Sequence, residues 1–66
     1  MEHFNLMPID NFDDEVVEKC GSLFPFITTK SGAIKYAKAI KRQFPNVRFE
    51  LTKGEHWGEL ELIQEF

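Results

Sequence analysis

The side chains of this chain that can do chemistry are two histidines, one cysteine, alternating glutamates and a hydroxyl-rich run before a helix. His3 stands near the N-terminus and His56 in the run Lys53-Gly54-Glu55-His56. A metal site needs three or four convergent ligands. No His-Glu-x-x-His motif and no Cys/His pair at zinc-finger spacing is present. Both histidines read as surface residues, and no metal or other cofactor is expected. Cys20 is the single cysteine, which rules out a disulfide within the chain. A reactive thiol needs a helix N-terminus or a cation to lower its pKa. Cys20 falls at the C-terminal end of an expected helix, where the dipole opposes a thiolate, with Lys19 beside it. It reads as a buried structural cysteine.

Glu59 and Glu61 alternate on an expected strand. Paired carboxylates catalyse only where a pocket drives their pKa values apart. A solvated strand face is the reading for a chain of 66 residues. The run Thr28-Thr29-Lys30-Ser31-Gly32 sits where a strand gives way to a helix. Amides at a helix N-terminus bind anions, so Lys30 and Ser31 form a candidate anion site, although no glycine-rich loop accompanies them.

The stronger signal is the order of charge along the chain. Residues 30–48 carry six bases and no acid: Lys30, Lys35, Lys38, Lys41, Arg42 and Arg48. Residues 1–29 hold six acids against Lys19, and residues 49–66 hold five acids against Lys53. The net charge of −3 conceals this partition.

The elements that must position these residues follow from periodicity. Apolar residues at Ala33, Ile34, Tyr36, Ala37, Ile40 and Phe44 share one arc of a helix over 32–44. Ser31 is its expected N-cap, and Pro45 ends it. Lys35, Lys38 and Arg42 form the opposite ridge. Lys41 stands at the ridge edge, its stem packed and its amine in water. Phe12, Val16, Val17 and Cys20 predict a shorter helix over 11–20, capped by Asp10 or Asn11 and stopped by Gly21. Its acids Asp14, Glu15 and Glu18 can pair with the basic helix if the two lie side by side.

Strands are expected at 3–7, at 23–29 with Pro25 near its start or on an edge, at 46–52, and at 57–64. The last two join through a turn at 53–56 as a β-hairpin. Leu60 and Leu62 are expected on one face, with Glu59, Glu61 and Ile63 on the other. A bulge at Gly58 would turn Trp57 to the core. The order is (β)-α-β-α-β-β. It predicts an α+β class and a small two-layer domain, with a three- or four-stranded sheet and both helices on one face. The crossover from 23–29 to 46–52 would be right-handed if those strands were parallel. The open face would then carry Arg48, Glu50, Glu59 and Glu61.

Residues 1–66 make one domain. With 42% hydrophobic and 29% charged residues, the composition is globular. Seven Phe, one Trp and one Tyr supply a dense core in place of disulfides or metal. No stretch approaches the roughly 20 apolar residues of a membrane span, and residues 1–9 lack the pattern of a signal peptide. A cytoplasmic setting is expected, without a membrane partner.

These features predict a non-enzymatic protein-interaction module, a small accessory or inhibitor-type protein. Its basic helix would bind an acidic protein partner through Lys35, Lys38 and Arg42, with Lys41 in support. Nucleic acid on the same ridge is the alternative, disfavoured by a pI near 5.2. An obligate homodimer joined through the open face or a strand edge is the third reading. Tyr36, Trp57 and Phe66 are candidate interface anchors, read here as core.

Overall fold

The computed structural model describes residues 2–54 and 60–66. It is an α+β domain: a four-stranded antiparallel sheet with two helices. β1 (Phe4–Pro8) leads to α1 (Asp14–Val17), β2 (Gly21–Ser22), α2 (Lys30–Gln43), β3 (Phe49–Lys53) and β4 (Glu61–Glu65). The strand order is β2-β1-β3-β4, with every neighbouring pair antiparallel. The last two strands pair as expected. The N-terminal strand is central, bonded to both β2 and β3.

Cross-strand partners share a face. Leu6 lies opposite Leu51 and Pro8 opposite Phe49. Phe4, Leu6, Phe49 and Leu51 are fully buried. Val16 from α1 and Ala33, Ala37 and Ile40 from α2 join the same core, together with Leu23 and Val47. Both helices therefore cover one sheet face. The small side chains of Ala33 and Ala37 let α2 lie close to the strands.

α2 is built as its periodicity predicts, with one difference at its start. Thr29, not Ser31, is the N-cap: its backbone is extended and its Oγ1 accepts from the Gly32 amide at 3.2 Å. The helix begins at Lys30 and leaves Ser31 exposed in the first turn. A methyl on Gly32 would meet Thr29 Oγ1 at 3.0 Å and Ile27 Cγ2 at 3.3 Å, so glycine keeps the cap clear. Phe44, just before Pro45, caps the C-terminal end.

The first helix is shorter than predicted. The helix over 11–20 is a single turn, Asp14–Val17. Asn11 Oδ1 accepts from the Asp13 amide at 2.9 Å, which holds residues 11–13 in a turn outside the helix. At the other end, Lys19 N and Cys20 N bond back three residues to Val16 O and Val17 O. Gly21 then reverses the chain at φ 113°. Phe12, expected on the buried arc, is consequently 65% exposed.

The strand over 23–29 does not form. Leu23 N donates to Phe4 O at 2.9 Å, and the chain then turns, with Ile27 N bonding Leu23 O at 2.9 Å. Pro25 has no amide to extend the ladder, and the Phe24–Pro25 peptide is cis. No parallel crossover occurs among the described residues, where the sheet is antiparallel throughout.

The strand predicted over 46–52 begins at Phe49, and β4 begins at Glu61. β4 carries a bulge: Leu51 faces Gln64 while Thr52 faces Leu62, leaving Ile63 as the extra residue. The bulge overturns the expected grouping of Leu62 and Ile63. Ile63 packs on the core, and Leu62 is 55% exposed on the open face in line with Thr52 and Asn5. The same shift places Glu61 opposite Lys53, on the face of Phe4 rather than on that of Met7, Glu50 and Glu65. Thr52 is buried on the open face, and its Oγ1 has no hydrogen-bond partner among the described residues. The readings of Glu55, His56, Trp57, Gly58 and Glu59 lie outside the described residues.

Candidate partner-binding surface

The six bases of residues 30–48 divide by what they touch. Lys35, Lys38 and Arg42 are exposed on α2, and no hydrogen bond or ion pair engages them among the described residues. At 100° per residue they share an arc of roughly 60°. That arc lies opposite the buried Ala33, Ala37 and Ile40. The core on one side thus fixes the ridge on the other.

Lys41 is not part of that ridge. Its Nζ donates to the Val47 carbonyl at 2.6 Å, in a partly buried position. The ammonium ties the end of α2 to the segment entering β3, so the expected water-exposed amine is instead a structural donor. Arg48 also has local work. Its guanidinium is 3.5 Å from Glu65, and its backbone amide donates to Asp10 Oδ1 at 2.9 Å. Glu50 and Glu65 face each other across β3 and β4. Arg48 offsets that like-charge pair. Lys53, outside the basic run, pairs with Glu2 at 3.1 Å.

Lys30 and Ser31 are exposed in the first turn of α2. The Gly32 amide, which an anion there would use, is already bonded to Thr29 Oγ1. Among the described residues, no ion pair joins α1 to α2. What links these two parts is Tyr36, whose hydroxyl donates to Lys19 O at 2.8 Å. Tyr36 and Phe66 both pack against the core. Nothing in the sequence pattern signals the Tyr36 bond, which spans 17 residues.

Cys20 is a half-buried free thiol. Burial pushes its pKa up, which keeps it protonated and poorly nucleophilic at neutral pH. Burial, and then the neighbouring Cys20, raise the Tyr36 pKa as well. His3 stacks on Phe24 with ring centroids 4.1 Å apart. No group of three His, Cys, Asp or Glu side chains converges on a metal position among the described residues. No helix of the described residues is long and apolar enough to cross a membrane. No family model, curated protein or solved structure matches this chain.

Proposed function

We propose that this chain is a non-enzymatic interaction module that presents Lys35, Lys38 and Arg42 of α2 to an acidic protein surface. One observation carries the reading: these three cations are exposed and unpaired among the described residues, whereas Lys41, Arg48 and Lys53 are engaged within the chain. Three charges on one rigid 14-residue helix make a preorganised stripe. Such a stripe speeds encounter with an opposite potential and rejects like-charged partners. The sequence pI near 5.2 favours a protein over a phosphate backbone.

The test is the double substitution Lys35→Glu with Arg42→Glu. Both side chains are exposed, so thermal stability should stay within about 0.5 kcal/mol. Capture of a cognate protein should be lost and then recovered by charge reversal on that protein. Undiminished capture rejects the ridge as the interface. Nucleic acid gives a different outcome. Three phosphate contacts would make log K fall with log salt at a slope of about −3.

A further inference from the structure

One apolar groove and one apolar knob lie at opposite ends of the β1–β2 pair. The groove has a volume of about 180 Å³ and is lined by Met7, Pro8, Phe12, Val17, Cys20 and Gly21. Phe12 and Val17 leave 65% and 46% of their surface in solvent there. The knob is Phe26, which is 94% exposed and thus packs against almost nothing of its own chain.

The register sets the two apart. Gly21 lies opposite Leu6 and Ser22 opposite Asn5, and Leu23 bonds to Phe4. The chain therefore runs away from the groove before it reaches Phe26, so the ring cannot fill its own groove. A phenyl ring fits the space, since an apolar cavity of about 150 Å³ holds benzene.

Charge complements shape. The stretch that lines the groove, residues 7–21, carries Asp10, Asp13, Asp14, Glu15 and Glu18 against Lys19 alone. Residues 23–34, around the knob, carry Lys30 and no acid. β2 is an edge strand. A closed two-fold contact is self-complementary, so in it each copy would offer its Phe26 to the other's groove at the same time.

We infer that this chain associates with a second copy of itself, Phe26 of each entering the groove between β1 and α1 of the other. The interface is separate from the α2 ridge, so its fate does not decide that of the proposed partner surface. Sedimentation equilibrium from micromolar to millimolar protein, with reductant to prevent Cys20 cross-linking, tests it. A monomer–dimer equilibrium is expected. Phe26→Ser and Val17→Glu should each weaken it about tenfold or more with unchanged circular dichroism. In a mixed labelled and unlabelled sample, isotope-filtered NOEs should connect the Phe26 ring to the Met7 and Val17 methyls. A monomer at millimolar concentration overturns the inference. So does a dimer indifferent to Phe26→Ser, or one whose intermolecular NOEs fall elsewhere.

Discussion

Lys41 shows how one bond changes the meaning of a residue. In sequence it belongs to a basic run with Lys38 and Arg42. In the fold its ammonium donates to Val47 O while theirs have no such partner among the described residues. Lys41→Met keeps the aliphatic stem and removes the donor, leaving a part-buried carbonyl short of a partner. It should cost about 1–3 kcal/mol, the range for losing a charged donor and leaving its acceptor unpaired. Lys38→Met should stay within about 0.5 kcal/mol. Urea denaturation midpoints measure both, and equal effects would return Lys41 to the exposed ridge. The same contrast explains why the charge-reversal test uses Lys35 and Arg42 but spares Lys41. Loss of binding in a Lys41 variant would be confounded with loss of stability.

At the scale of elements, α2 is legible in the sequence, whereas the extent of α1 is not. A helix of 14 residues repeats its apolar spacing often enough to define a face. A single turn does not. The Asn11 turn and the left-handed Gly21 confine α1 to that single turn. Thr29 and Ser31 are both good caps by type, so sequence alone does not separate them. Only the extended backbone of Thr29, with its bond to Gly32, distinguishes them. Thr29→Ala should therefore cost about 1 kcal/mol, and Ser31→Ala should be neutral or slightly stabilising. Thermal melts of the two variants decide between the positions. β4 departs from simple alternation for a related reason. Strict alternation assigns opposite faces from one end of a strand to the other. One bulge at Ile63 reverses the assignment beyond it.

For the whole molecule, size sets the margin. At roughly 0.05–0.15 kcal/mol per residue, a chain of 66 residues has little stability to lose. Its centre includes Phe4, fully buried on β1, an inner strand between β2 and β3. Phe4→Ala should cost about 3–5 kcal/mol. Loss of the native spectrum at room temperature is the expected outcome, measured by circular dichroism and amide dispersion. A folded variant with a mildly lowered melting point would show that the core collapses around the deletion. The sheet's edges also bear on association. β2 has two residues, and β4 carries a bulge and a glutamate at each end. Short, bulged and charged edges resist extended strand pairing. Contact between copies through Phe26 and the groove uses side chains instead.

Composition and periodicity alone determined the α+β class, the face of α2 that is buried, and the ridge of Lys35, Lys38 and Arg42 opposite it. These are local properties: a helix cannot bury Ala33, Ala37 and Ile40 without exposing the far side. Tertiary structure decided everything that depends on residues distant in sequence. It made the N-terminal strand central and the sheet antiparallel, turned residues 24–29 away from the ladder, and exposed Phe26. It also withdrew Lys41 and Arg48 from the basic surface by giving them partners at Val47 and Glu65. Pairing between strands and the capture of a cation by a carbonyl are set by which segments meet. That meeting follows from the packing of one shared core, which no single stretch of the chain encodes.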